Sequence, residues 1–411
     1  MVLAVGLLAL VLFPLPVLAS DTPAKQPACH GSDCRAQPVS AQQWAKRLSG
    51  TWSAGTGPGT SGDGSTVPAI GQAYVAAGGG VAVLGTGLIL TGYTLSHGKK
   101  LWQTTLSAPA GTVIMSVRAW QGVVTAGLLA PGDRSRTEVL IDALTGAEVR
   151  RYPAAVFGGA VAASKATTVI VGPATVTSYD NATGRVRWQR KTAGGQSWQA
   201  DGQKLYVAES PGGYLSSSPV TSLRVINLAT GTERMLSSPV GRPFSGTLAI
   251  ATGGAVLFAS AVGVTAYSGS TGGVLWTMRD AVPEGTDPAA GLVYLTSASG
   301  ALTGVDPLTG AVRTAVGGAL TAGQAGLYLV RGGIAFGLDS GANGTAWGYS
   351  MAKGLVTWTS TVLPWPHFFS DLSGLGGSAA ASGDTVVVTA CPHLAASRGR
   401  CADPELVALT W

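Results

Sequence analysis

The chain has 411 residues, of which 46% are hydrophobic and 11% charged, with 60 glycines, 22 prolines and a formal net charge of +6. So low a charge fraction excludes an ordinary disordered chain, and so much glycine suits a body built from tight turns. The positive balance comes without a dense basic cluster, since Arg134 and Arg136 stand in PGDRSR and Arg185, Arg187, Arg190 and Lys191 follow along one predicted hairpin; this argues against a nucleic-acid groove and leaves a weak attraction for acidic polymers.

Residues 1–19, MVLAVGLLALVLFPLPVLA, are almost wholly apolar, and Val17-Leu18-Ala19 before Ser20 fits a small-residue cleavage site, the pattern of an export signal. No Lys or Arg precedes the apolar core, so a start further upstream and a short uncleaved membrane anchor are the alternatives. Pro14, Pro16 and a span short of the roughly 20 apolar residues of a membrane helix weigh for cleavage. The absence of cysteine at the cleavage point argues against a lipid anchor.

Residues 20–43 form a segment containing Cys29 and Cys34 around HGSD, and near the other end Cys391 and Cys401 bracket PHLAASRGR. In an exported, oxidising setting, pairing of sequence neighbours makes two small disulfide loops, Cys29 with Cys34 and Cys391 with Cys401. Zinc held by these cysteines with His30 and His393 is the competing reading, but the spacings lack a finger or ribbon arrangement.

From residue 44 to 411 the chain reads as one repeat domain. QQWAKRLSGTW, with Trp44, Lys46 and Leu48, has the look of an outer strand, and GTGPGTSGDG after it lacks the Lys and Ser/Thr of a phosphate loop and reads as a flexible connection. There follow seven copies of one motif: YTLSHGKKLW (Tyr93 to Trp102), IDALTGAEVR (Ile141 to Arg150), YDNATGRVRW (Tyr179 to Trp188), INLATGTERM (Ile226 to Met235), YSGSTGGVLW (Tyr267 to Trp276), VDPLTGAVRT (Val305 to Thr314) and YSMAKGLVTW (Tyr349 to Trp358). The glycines recur about every 43 residues, the length of a four-stranded antiparallel unit.

Each motif position has a physical task. Thr94, Asp142, Asp180, Asn227, Ser268, Asp306 and Ser350 can accept bonds from turn amides, and the glycine that follows supplies a positive φ. The leading Tyr, Ile or Val should lie between neighbouring sheets. Trp102, Trp188, Trp276 and Trp358 offer large buried area, which Arg150, Met235 and Thr314 match less efficiently, so those three junctions are expected to be weaker. The intervening stretches alternate β-prone runs with Gly-rich breaks, and none extends to an amphipathic helix.

After the seventh motif, DTVVVTACPHL and PELVALTW supply two strand-like runs, but no further turn and outer strand follow. The stretch at Trp44 is the best donor of the missing strand, and its pairing with the C-terminal unit would remove an exposed edge. The reading is therefore all-β with eight four-stranded units closed by an N-terminal strand; seven units with residues 362–411 as an appendage is the alternative.

Catalytic constellations are scarce. Besides His30 and His393, the histidines are His97 in a turn motif and His367 in WPHFF. Asp142, Asp180 and Asp306 share a position that Thr94, Asn227, Ser268 and Ser350 fill elsewhere, as backbone capping permits and a calcium site would not. No catalytic, cofactor-binding or metal-binding residue is assigned.

The form x-[YVI]-[DNS]-x-x-T-G-x-x-x-W, best kept in YDNATGRVRW, IDALTGAEVR and YSGSTGGVLW, resembles the repeat of pyrroloquinoline-quinone-type β-propellers over residues 44–411. The resemblance implies a β-propeller of four-stranded blades. That superfamily includes quinoprotein dehydrogenases, the propeller subunit of bacterial outer-membrane protein assembly, and extracellular propellers of bacterial kinases. In the dehydrogenases the quinone sits in a central cavity with calcium, a catalytic Asp and often a disulfide between consecutive cysteines. Here no two cysteines are consecutive and no aspartate stands apart from the capping set.

The functional expectation is thus an exported bacterial propeller, secreted or on the outer face of the cell membrane, that binds a cell-envelope or extracellular protein or glycan and uses neither quinone nor calcium. The alternative is a quinone-dependent dehydrogenase or carbohydrate-active enzyme. Candidate contact loops are LLAPGDRSRTEV, AESPGGYLSSSPVTS and WPHFFSDLSGLGG, with Trp365, His367, Phe368 and Phe369 as the partner-contact residues, because loop aromatics are frequent binding anchors.

Overall fold

The computed structural model describes residues 42–47, 73–133, 135–155, 158–172, 174–193, 195–210, 219–237, 243–287, 290–297, 301–316, 325–331, 334–339, 346–350, 355–360, 379–382, 385–390, 394–395, 400–401 and 405–410. Among them the strands form eight four-stranded antiparallel sheets and one two-stranded ribbon, Leu394–Ala395 with Arg400–Cys401.

The first sheet orders Ala73–Gly78, Val81–Thr86, Ile89–Thr94 and Lys100–Thr105; the second, Val113–Ala119, Val123–Leu129, Ser135–Asp142 and Glu148–Ala155; the third, Gly159–Ala163, Thr167–Val171, Thr175–Asp180 and Val186–Lys191. The fourth has Gly195–Asp201, Lys204–Glu209, Ser222–Asn227 and Glu233–Ser237; the fifth, Thr247–Thr252, Ala255–Ser260, Gly263–Ser268 and Val274–Arg279; the sixth, Ala281–Asp287, Leu292–Ser297, Leu302–Val305 and Val312–Val316. The seventh has Ala325–Arg331, Ile334–Asp339, Ala346–Ser350 and Leu355–Ser360. In the eighth, Ala379–Ser382, Thr385–Ala390 and Glu405–Thr410 are completed by Gln42–Arg47, antiparallel to Glu405–Thr410. The outer-strand look of the stretch at Trp44 is thus matched by its pairing.

The core lies between sheets. Val83, Leu90 and Trp102 of the first sheet cluster with Val124, Val139 and Ile141 of the second, and Trp188 and Val171 of the third with Leu205 and Ile226 of the fourth. Phe244 and Phe258 of the fifth sheet's neighbourhood stack at 5.1 Å between ring centroids, both edge-on to Tyr267, against Tyr206 of the fourth. Val387 and Leu406 of the eighth sheet share a cluster with Val75, Leu84 and Tyr93 of the first, so the end of the chain packs against its beginning. The leading motif residues Tyr93, Ile141, Ile226, Tyr267 and Val305 all sit in these inter-sheet clusters, and Tyr179 stacks on Tyr152 of the second sheet at 4.3 Å.

The turns are capped as their sequence implies. Asp142 Oδ1 accepts bonds from the Leu144 and Thr145 amides at 3.0 and 2.9 Å, Asp306 Oδ1 from Leu308 and Thr309 at 2.9 and 3.0 Å, and Asn227 Oδ1 from Ala229 and Thr230 at 3.0 Å each. Gly146 and Gly231 have φ of 71° and 69°, a region that a Cβ disfavours.

The same glycines are covered by the preceding sheet. A Cβ on Gly146 would lie 2.6 Å from the Trp102 indole, one on Gly231 2.6 Å from Trp188, and one on Gly310 2.7 Å from Trp276. Trp102 Nε1 donates to the Ala143 carbonyl at 2.8 Å and Trp276 Nε1 to the Pro307 carbonyl at 2.9 Å. Arg150 replaces the indole by polar contacts: its Nε and Nη2 donate to the carbonyls of Asn181 and Ala182 at 3.2 and 2.9 Å, while its guanidinium lies over Gly184. Met235 is 44% exposed, and the neighbouring Arg234 reaches the next turn instead, donating to the Gly269 carbonyl at 2.8 Å. These junctions exchange apolar area for hydrogen bonds.

Bonds from the Thr183 amide and hydroxyl hold the Asp180 carboxyl below the ordinary 3.8, and the Thr309 and Leu308 amides do the same for Asp306. At Asp142 burial pulls upward, but bonds from Thr145 and Leu144 outweigh it and the net shift is again downward. Carboxyls that ionise more readily when folded contribute fully above the unfolded value, and the contribution is lost as pH falls through the lowered values. The thermal midpoint is therefore expected to drop below about pH 4. The triple variant Asp142→Asn, Asp180→Asn, Asp306→Asn, which keeps the acceptor as Asn227 does, should flatten that drop; an unchanged slope would remove these turns from the acid response.

Candidate binding face

Antiparallel order assigns every connection to one of two ends. The first-to-second turns and the capped third-to-fourth turns leave one end of each sheet; the second-to-third and sheet-to-sheet connections leave the other. The first end carries short turns such as residues 79–80, 95–99 and 143–147. The second end carries the longer runs 106–112, 210–221, 238–246, 361–378 and 391–404. All three sequence-predicted contact loops belong to this second end.

Buried ion pairs stand at the stems of two of these connections. Beside residues 130–134, Arg136 and Glu138 pair at 3.0 Å with side chains only 6% and 1% exposed. The Arg136 guanidinium lies across Gly127, where any Cβ would collide with it, and Nη2 donates to Ser116 Oγ. Ser116, Gly127 and Glu138 face one another across three strands, so the cluster occupies a single row. Arg118, two residues beyond Ser116 on the first strand, is solvent-exposed yet enclosed by protein and donates to the Ala160 carbonyl of the third sheet at 2.6 Å. Desolvation pushes its guanidinium pKa down, Glu138 opposes this and Arg136 adds to it. Both Glu138 oxygens and Arg136 Nε lack hydrogen-bond partners.

Beside residues 210–221, Glu209 and Arg224 pair at 2.7 Å with side chains 2% and 13% exposed. Arg224 Nη1 continues to Glu233 at 2.9 Å, and Glu209 also accepts from the Ala193 amide at 3.3 Å. Val220 and Phe244, both buried, form a bridge that ties this connection to the one leading into the fifth sheet. At the same end, Gly246, Thr247, Ser260, Ala281, Val282 and Pro283 line a shallow cleft of about 560 Å³ between the fifth and sixth sheets.

Trp365, His367, Phe368 and Phe369 lie outside the described residues, as do Cys29, Cys34 and Cys391; Cys401 lies on the two-stranded ribbon, its backbone opposite Leu394. Residues 1–19 also lie outside them, and among the described residues no helix is long and apolar enough to cross a membrane. His97 sits exposed in its turn, Nδ1 2.6 Å from Ser96 Oγ. Arg136 reads in the sequence as a loop charge, but it is buried and paired and so cannot serve as an open basic contact. The clusters at Glu138 and Glu209 escape sequence reading because a charge alternating along a strand ordinarily marks a solvent face. Their signals are Gly127, which leaves room for a side chain, and the spacing of Arg136 and Glu138, which puts both on one face.

A calcium-bound quinone needs several oxygen donors converging on one cavity. Asp142, Asp180 and Asp306 are bound into turns at the other end, Glu138 and Glu209 are held by arginines inside inter-sheet seams, and among the described residues no three of His, Cys, Asp and Glu gather to hold a metal ion. The described donors therefore do not fit that group.

No protein-family model matches the chain, and no curated protein matches it. Solved structures do. A computationally designed protein, Ika8, is 15% identical with a TM-score of 0.54, over 83% of this chain and 98% of that one. A europium-containing methanol dehydrogenase is 11% identical with a TM-score of 0.51, over 83% and 92%. A quinohemoprotein alcohol dehydrogenase from Comamonas testosteroni is 15% identical with a TM-score of 0.51, over 83% and 76%. At such identities the likeness is one of fold, and with the successive four-stranded sheets it makes this chain a β-propeller.

Proposed function

We propose that the chain is an extracytoplasmic eight-bladed propeller that binds a cell-envelope or extracellular protein or glycan and performs no catalysis. The observation that carries this reading is the division of its two ends: capped, near-identical turns on one, and on the other long, mutually dissimilar connections, two of whose stems are pinned by buried Arg–Glu pairs. A rigid frame carrying variable loops is how binding surfaces are commonly built. Trp365, His367, Phe368 and Phe369 belong to a connection of the variable end and are proposed as its aromatic contacts. The apolar residues 1–19 support export, with cleavage or with retention at the membrane, and export favours disulfides Cys29–Cys34 and Cys391–Cys401.

Recovery of partners from solubilised cell envelope with the tagged chain tests this. Trp365→Ala and Phe368→Ala are expected to lower recovery several-fold without moving the thermal midpoint; unchanged recovery counts against the contact loop. For the dehydrogenase alternative the measurement is absorbance and bound cofactor after adding pyrroloquinoline quinone and calcium. A stoichiometric complex with dye-linked alcohol oxidation would overturn the binding-only reading.

A further inference from the structure

The strand that completes the eighth sheet repeats the outer-strand register in detail. Gln42 pairs with Leu409 and Trp44 with Ala408, so one residue is skipped on the outer strand. In the first sheet Lys100 pairs with Tyr93 and Trp102 with Gly92 across the same skip; in the third, Val186 with Tyr179 and Trp188 with Ser178; in the fifth, Val274 with Tyr267 and Trp276 with Ala266. Trp44 therefore occupies the position of Trp102, Trp188 and Trp276, with Ala408 as the small residue opposite it. Those three indoles each cover the turn glycine of the following sheet.

The sheet that follows the eighth is the first, through the cluster of Val387 and Leu406 with Val75, Leu84 and Tyr93. Its turn glycine is Gly98, which is buried and has a φ of 61°. The first seven sheets join their third and fourth strands through a short turn, whereas Gln42–Arg47 and Glu405–Thr410 come from opposite ends of the chain. Their pairing closes a loop of nearly the whole domain, and a longer loop costs more entropy to close.

We infer that Trp44 docks on Gly98, and that the Glu405–Thr410 edge together with the turn at residues 95–99 is a receptor site for an extended, tryptophan-bearing peptide. Residues 42–47 fill the site within the chain. Because they are held there by binding rather than by a turn, the strand is exchangeable, and the same segment of a second copy fits the vacated edge through main-chain hydrogen bonds and an indole pocket.

The test uses the full chain carrying Trp44→Ala, with a synthetic peptide of residues 40–49 and the same peptide lacking the tryptophan. Trp44→Ala is expected to lower the thermal midpoint by several degrees, and excess tryptophan peptide to restore it. The peptide without tryptophan should restore nothing, and the unmutated chain should respond to neither. A midpoint unmoved by Trp44→Ala, or equal rescue by both peptides, overturns the assignment. Hydrogen exchange on the unmutated chain decides independently of whether the variant folds: amides of Glu405–Thr410 bonded to Gln42–Arg47 should exchange about tenfold faster than those of Gly263–Ser268 bonded to Val274–Arg279. Equal protection overturns the exchangeable closure.

Discussion

Trp102→Ala is expected to cost about 3–5 kcal/mol of folding stability, the range for removing a buried tryptophan. The side chain is 7% exposed, lies in the cluster joining the first two sheets, covers Gly146 and donates to the Ala143 carbonyl at 2.8 Å. Its removal empties a space bounded by a turn whose glycine conformation is fixed and whose carbonyl loses a donor, so collapse into the cavity is restricted. Chemical denaturation with fluorescence and circular dichroism together measures the loss. A change below about 1 kcal/mol would mean that the indole does not carry the junction. Arg150→Ala, at the same motif position, should cost less, because its half-exposed guanidinium supplies hydrogen bonds rather than buried area.

Glu138→Ala is expected to be as damaging, about 3–5 kcal/mol, because it leaves Arg136 buried without its counter-charge and beside a second guanidinium on Arg118. The double variant Arg136→Met, Glu138→Leu removes both charges and should recover most or all of the loss, as replacement of a buried pair by apolar side chains commonly does. Equilibrium unfolding of the two variants separates the cases. If Glu138→Ala is as stable as the parent, the carboxylate does not neutralise a buried arginine. Partner recovery by the stable double variant then reports whether the pair only pins the 130–134 stem or also sets its direction.

The turn motif was legible because each of its signals is local: an acceptor at Asp142, Asp180 or Asn227, a glycine free to take positive φ, and an aromatic four residues on. The origin of the closing strand was legible for the same reason, since QQWAKR carries the alternation of RWQRKT. Harder to read were features set by the neighbouring sheet. In a sheet covered on both faces, the alternation of Arg136, Glu138 and Leu140 along one strand does not mark a wet side, and nothing near Glu209 in sequence announces Arg224 as its partner. Arg150 at a tryptophan position reads as a poorer filler until the carbonyls of Asn181 and Ala182 come within its reach. The contact residues Trp365, His367, Phe368 and Phe369 rest on composition alone, as loop side chains follow the partner they meet rather than the frame that carries them.

The bridge between Val220 and Phe244 and the arginine behind Glu209 give the 210–221 segment two fixed posts. Foreign sequence spliced between such posts would inherit its exit direction from the frame, and lengthening a surface excursion adds only about 0.6 kcal/mol per doubling. The molecule is therefore suited to serve as a display mount, on which new recognition is acquired by exchanging one excursion while the melting behaviour of the wheel stays as it was.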